Sequence, residues 1–128
     1  MVVLDTHTLI WWTLDPAKLS DSARQVCNNI PQTGGIVSSI LLWEIGLKVK
    51  RGQLDLGLDM EDYVGRLHLL KGLEIVAVDV EHWLENLRLP WDHPDPADRT
   101  IVATAQLLDA SLVSKDEVIR SYYNNTIW

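Results

Sequence analysis

Residues 93–116, HPDPADRTIVATAQLLDASLVSKD, constrain the fold more than any other stretch of this chain. Asp95 stands at a helix-capping position and Pro96 at the first helical position, where its missing N–H costs nothing. The helix this predicts runs to about residue 109. Counting at helical spacing from Asp98, in its first turn, gives Ile101, Val102, Ala105 and Leu108, so this carboxylate shares the apolar stripe that should face a core. After a short break, residues 111–114 read as a buried strand that ends in Lys115 and Asp116. A helix feeding a short buried strand is the crossover half of a parallel α/β unit. It places one acid near a helix start and another at a strand end.

The rest of the chain repeats this alternation. Val2, Val3 and Leu4 form an apolar run that ends at Asp5, and Thr6 leads into a helical pattern of Leu9, Ile10, Trp11, Trp12 and Leu14. Ser20 caps a helix over about residues 21–29, which Pro31 and the Gly34-Gly35 pair end. Residues 35–38 form a second strand. Ser39 is the expected cap of a helix through about residue 51, apolar nearly all round between Ile40 and Ile45, with Glu44 inside that run and Gly52 just past its end. Leu58 and Asp59 open an amphipathic helix with Met60, Tyr63, Val64 and Leu67 on one face, stopped at Gly72. Residues 73–78 give the clearest strand. Asp79 caps a helix on which Val80, Trp83, Leu84 and Leu87 align, with Pro90 at its end, and a short helix over about residues 117–121 precedes a last apolar piece, residues 126–128. The expected class is α/β, with a largely parallel central sheet covered by helices on both faces.

With 128 residues the chain is read as one domain, able to bury about 68 to 70% of its unfolded surface. A net charge of −7 argues against a protein held on nucleic acid by electrostatics alone, but not against an enzyme that handles RNA through metal ions and a local basic rim. The opening apolar run is too short for a signal peptide, and no stretch approaches the roughly 20 apolar residues of a membrane span, so a cytoplasmic protein with no membrane partner is expected. Cys27 is the only cysteine, which excludes an internal disulfide and disfavours a thiolate metal site. Six Trp and no Phe is an unusual aromatic choice, best read as some Trp serving an interface.

In an open parallel sheet, sites form beyond the carboxyl ends of the strands. Asp5 and Asp116 both follow strands there, and Asp98 and Glu44 join them if their helices begin at the same edge. Singly, each has an ordinary explanation. Asp5 and Asp116 can cap the helices after them, Asp98 can serve a capping arrangement with Asp95, and Glu44 can pair with Lys48 one turn on, worth roughly 0.2 to 0.5 kcal/mol. Jointly they are harder to dismiss. Two of the four sit against apolar faces, and the candidate counter-charges are few: Lys48, Arg99 and Lys115. Two like charges about 4 Å apart repel by roughly 4 kcal/mol at an effective dielectric near 20, so such a cluster calls for a cation or raised pKa values. Oxygen-only ligands suit Mg²⁺ or Mn²⁺, which activate water and stabilise charge developing at an attacked phosphate.

Other chemistries find less support. His7, His68, His82 and His93 contain no pair at zinc-ligand spacing; His7 and His93 flank the expected site and read as hydrogen-bonded structural residues. Thr6, Ser38 and Ser114 lie at expected strand ends and can hold carboxylates or water. There is no glycine-rich phosphate loop, and Asp5-Thr6-His7 lacks the second aspartate of a haloacid-dehalogenase-type phosphatase.

With these residues in place, the chain resembles the PIN-domain ribonucleases, and within them the VapC-type toxins of toxin-antitoxin pairs. The resemblance runs over essentially the whole length and rests on VVLDTHTLIWW at 2–12, SSILLWEIGLKVKRGQL at 38–54, HPDPADRTIVATA at 93–105 and LVSKDEVIR at 112–120, in that order, with the final TIW similar to the family's closing strand. It implies a PIN-like three-layer α/β/α sandwich with sheet order 3-2-1-4-5 and a divalent-metal endoribonuclease. Carried over by position, Asp5 and Asp98 are the principal Mg²⁺ ligands, Glu44 the third acid, Asp116 the fourth, and Thr6 and Ser114 supporting hydroxyls. Ala97 and Ser114 depart from the family's common Phe and Thr. A cognate antitoxin and a homodimer are the protein partners that the resemblance implies, with RNA as substrate. The expected activity is metal-dependent cleavage of RNA phosphodiester bonds by in-line attack of water. Two rivals share parts of the pattern: a receiver-like phosphoryl-accepting signalling domain, which needs adjacent acids after the first strand, and a catalytically inactive PIN-like binding module, against which the intact acids speak.

Overall fold

The computed structural model describes residues 1–128. The short apolar runs become five strands, β1 (Val2–Leu4), β2 (Gly35–Ser38), β3 (Leu73–Val76), β4 (Ser111–Val113) and β5 (Thr126–Ile127), in one sheet of order β3-β2-β1-β4-β5. Every neighbouring pair is parallel. That is the expected order, and it differs from the 2-1-3-4-5 order of receiver domains. The central strand β1 is buried along its length, as a parallel strand covered on both faces must be.

Eight helices flank the sheet: α1 (Thr6–Leu14), α2 (Asp21–Asn28), α3 (Ile30–Thr33), α4 (Ser39–Lys50), α5 (Met60–Leu69), α6 (Val80–Arg88), α7 (Pro96–Leu107) and α8 (Glu117–Tyr122). A single 3₁₀ turn, Pro16–Lys18, links α1 to α2. The core joins Val3 and Leu4 of β1, Leu41 and Ile45 of α4, and Ile101 and Val102 of α7, all fully buried. None of the helices is long and apolar enough to cross a membrane.

Several local expectations are corrected. The cap of α4 is Ser38, whose Oγ accepts from Ile40 N–H, while Ser39 Oγ accepts from Val78 N–H. That bond takes Val78 out of the ladder, and β3 stops at Val76. Pro31 does not end a helix; it sits in the first turn of α3, where its fixed φ is suited. The stripe through Asp98 ends one turn early, because α7 stops at Leu107 and Leu108 is left 39% exposed beside it. The largest correction concerns α6: Val80 is 71% and Leu87 76% exposed, with Trp83 and Leu84 also outside the core. This helix buries Asn86 instead, whose Nδ2 donates to Thr100 Oγ1 at 2.9 Å.

Arg99 explains that orientation. It is not a counter-charge for the acids. Its Nε donates to Asn86 Oδ1 at 3.2 Å, Nη2 to Asn86 O at 2.6 Å, and Nη1 to the carbonyls of Trp91 and His93. One guanidinium, with donors in a fixed fork, thus holds the end of α6 and the following loop against α7. Replacing Arg99 by Met leaves these buried acceptors without donors and lowers the unfolding free energy by about 2 kcal/mol or more. Denaturant titration measures this, and Asn86→Ala should add little in the Arg99→Met background because both residues belong to one network.

Candidate metal centre

Register brings the first two acidic groups together. Leu4 pairs with Val113 across the β1–β4 ladder, so Asp5 and Ser114, the next residue on each strand, emerge side by side. Asp5 N–H completes the ladder on Val113 O. Its side chain caps α1, with Oδ1 accepting from Thr8 N–H at 2.9 Å, and Oδ2 accepts from Ser114 Oγ at 2.5 Å. Ser114 Oγ in turn accepts from Asp116 N–H at 3.1 Å, and Asp116 Oδ1 caps α8 through Val118 and Ile119. The capping readings of Asp5 and Asp116 are therefore correct, yet each carboxylate keeps an oxygen outside its cap.

The other two acids arrive on helices. Glu44, half-buried on the second turn of α4, accepts from Thr6 Oγ1 through Oε2 at 2.8 Å, and its Oε1 lies 3.6 Å from Lys48 Nζ. Thr6 is the residue after Asp5, so α4 is tied to the same edge. Asp98 lies in the first turn of α7, where Asp95 Oδ1 accepts from the N–H groups of Ala97 and Asp98. Its Oδ2 is 2.8 Å from His93 Nε2. All six residues singled out from the sequence thus stand at carboxyl ends of strands or on helices that follow or precede them, and hydroxyls join five of them in two groups, Thr6 with Glu44 and Ser114 with Asp5 and Asp116, while Asp98 meets His93 instead.

The four acids do not close into a tight set. The trio with ligand atoms all within 4.8 Å of one another is His93, Asp95 and Asp98. Its closeness follows from the α7 cap and the imidazole–carboxylate bond. His93 contacts Asp98 directly, as its position beside Asp95 and Pro96 allowed, whereas His7 is exposed and tilts against the ring of Trp11 at 5.4 Å. Lys115 makes no ion pair with any acid; its Nζ lies 5.8 Å from the Trp11 ring centroid. An open cavity of about 520 Å³ is lined by the acids Asp5, Asp116 and Glu117 together with Trp11, Lys115, Arg120 and Trp128. The aromatic members were not singled out from the sequence; the Trp-rich composition was the available signal.

Two carboxylates are held against burial without a cation. Asp5 is 5% exposed, and desolvation raises its pKa against the hydrogen bonds from Ser114 and Thr8. Desolvation likewise pushes Asp98 up to about 6, opposed by the His93 bond and assisted by the nearby charges of Asp95 and Asp116. Neither carries an Arg or Lys partner. Oxygen donors in this condition fit a hard divalent cation, which stabilises their charged form.

The same shift sets a stability trend for the metal-free protein. Asp98 binds its proton more tightly folded, near 6, than at its ordinary value of 3.8, so stability falls as pH rises from about 4 to 6. Asp98→Asn removes that loss. The metal-free variant should be more stable than the parent above pH 6, by at most about 3 kcal/mol, and indistinguishable in this respect below about pH 4. Thermal unfolding in chelator at several pH values measures the difference, and a variant equally destabilised at every pH contradicts the burial argument.

Comparisons with known proteins bear on the family and the fold. The PIN domain family model matches residues 2–125. Ribonuclease VapC22 of Mycobacterium tuberculosis (strain ATCC 25618 / H37Rv) is 28% identical over 131 residues, an alignment that spans 99% of this chain and 98% of that protein. Among solved structures, a toxin-antitoxin complex from Klebsiella pneumoniae superposes with a TM-score of 0.68 at 19% identity, covering 100% of this chain and 97% of that one. VapBC2 from Rickettsia felis, bound to a DNA fragment from their promoter, gives 0.70 at 18% identity, with 100% and 98% covered. At these identities the two structures speak to the fold alone. A family model that matches nearly the whole chain, on a parallel sheet of order 3-2-1-4-5 with acids at its carboxyl edge, makes this chain a member of the PIN-domain family.

Proposed function

We propose that the protein is a metal-dependent endoribonuclease, the toxin of a toxin-antitoxin pair, acting in the cytoplasm as a single PIN domain. The observation that carries this reading is Asp5 and Asp98, carboxylates buried without an Arg or Lys partner, Asp98 meeting only the His93 imidazole, at the edge where Glu44 and Asp116 also stand. The similarity to Ribonuclease VapC22 over nearly the whole of both chains supports the nuclease class, and the shared fold of proteins found in toxin-antitoxin complexes is consistent with a toxin.

In this reading Asp5, Asp98, Glu44 and Asp116 hold Mg²⁺ or Mn²⁺. When bound, such an ion acidifies water and offsets charge developing on the phosphate. The chain's own residues set the geometry. Thr6 fixes the Glu44 carboxylate and Ser114 fixes Asp5, so each hydroxyl proton is committed to an acid and neither side chain is a free nucleophile. His93 orients Asp98. Cys27 is fully buried, with its thiol pushed up to about 12 by desolvation, which removes a thiolate from the available chemistry. The reading assigns the attack to water, in line with the leaving oxygen and without a covalent enzyme intermediate.

An antitoxin would neutralise the enzyme by laying an apolar helix on its surface and offering a basic side chain to the acids. An apolar cleft of about 310 Å³ lined by Trp12, Leu14, Leu58, Leu67 and Leu70 supports that docking. It lies at the far end of α1 from Asp5, about 14 Å along a helix of nine residues. A homodimer belongs to the same reading, and the apolar side chains that α6 leaves in solvent are the surface such association would cover.

Purified partner-free protein should cut total cellular RNA into discrete fragments with Mg²⁺ and leave it intact with chelator. Asp98→Asn should reduce the rate at least about a hundredfold while the protein stays folded. Intact RNA with the folded, Mg²⁺-loaded parent protein, or full activity in the variant, overturns the proposal.

A further inference from the structure

We propose that Trp11 and Trp128 form a stacking subsite that holds an unpaired base of the RNA beside the acidic centre, with Lys115 and Arg120 taking the flanking phosphates; this rests on the nuclease reading above. The two indoles are half-buried and line the same 520 Å³ cavity as Asp5 and Asp116. Their centroids lie 5.8 Å apart at an interplanar angle of 55°, and His7 meets Trp11 at 42°. Neither arrangement is face to face, so no ring stacks on another; the group over Trp11 is the Lys115 ammonium, 5.8 Å from its centroid, which an incoming base displaces toward the phosphate. The contrast within the same molecule is Trp91 and Tyr122, stacked at 4.6 Å and 7°, a pair that already satisfies itself and packs against His93.

Charge completes the case. Lys115 and Arg120 are exposed and are absent from every ion pair in the molecule, although the acids Asp116 and Glu117 are their chain neighbours. Cations left unpaired beside aromatic faces are the pattern that binds single strands, in which each base offers a π-face and each phosphate a charge. A duplex keeps its bases stacked inside and cannot present one to this wall. The subsite therefore selects unpaired RNA, and the net negative chain binds it through Lys115 and Arg120, set among Asp5, Asp116 and Glu117 in the same cavity, rather than through its overall charge.

The test uses the full-length protein in Ca²⁺, with intrinsic tryptophan fluorescence and anisotropy as readouts and a short oligouridylate as probe. Expected results are quenching on binding, affinity weakened about five- to 150-fold in Trp128→Ala, and near-parental affinity in Trp11→Phe, which keeps a stacking ring. An abasic oligomer of equal length and the same sequence in a duplex should both bind weakly. Equal affinity for the abasic strand, or unchanged affinity in both Trp128→Ala and Trp11→Leu with each variant folded by circular dichroism, overturns the subsite. If the parent cleaves RNA under those outcomes, the nuclease reading stands and only the subsite falls; if the parent neither binds nor cleaves any RNA, both fall.

Discussion

The bond from Ser114 Oγ to Asp5 Oδ2 is the contact on which the acidic edge depends. It exists because β1 and β4 are parallel neighbours whose last paired residues are Leu4 and Val113. Parallel strands run out at the same edge, so the first side chains beyond them meet. Burying an aspartate there is costly, and the protein offsets that cost with three donors: the Thr8 N–H, the Ser114 hydroxyl and, through Ser114, the Asp116 amide that holds the hydroxyl in place. Hydrogen bonds of this kind orient the carboxylate without neutralising it.

A second layer of restraint acts on the helical acids. Asp98 would be free to turn with the α6–α7 loop, but Arg99 fastens the carbonyls of that loop to α7, and His93, carried by the same loop, is set against the Asp98 carboxylate. Adjacent residues thus divide the work, Arg99 holding backbone and Asp98 facing the site. On the other side, Thr6 couples α4 to the start of α1 through Glu44. A site assembled from the ends of β1 and β4 and the flanks of α4 and α7 needs such ties, since each element alone could shift by more than a ligand tolerates.

Much of this was legible in the residues. The apolar runs at 2–4, 35–38 and 111–113 could only be buried strands, and the caps Asp5, Ser20, Asp59, Asp79, Asp95 and Asp116 lie where a Ser or Asp precedes a helical pattern. The α6 stripe was legible as a helix but misleading as to its buried face. Periodicity reports which side chains align, not which neighbour covers them, and here a polar network through Asn86, Thr100 and Arg99 decided the packing against an apolar stripe. Ser39 was displaced from its expected capping role by the same logic, since a loop N–H from Val78 competed for its hydroxyl.

The sequence by itself determined the alternation of strand and helix, the oxygen-only character of the candidate ligands, and the absence of disulfide, thiolate or phosphate-loop chemistry, because these follow from residue type and local spacing. Tertiary structure decided which acids share hydroxyls, that Arg99 binds carbonyls rather than carboxylates, and that Trp11 and Trp128, from opposite ends of the chain, line one cavity with Asp5. The reason is physical: local spacing fixes dihedral preferences and faces, while contacts between separate elements depend on the strand order of the sheet and on how the helices pack against it.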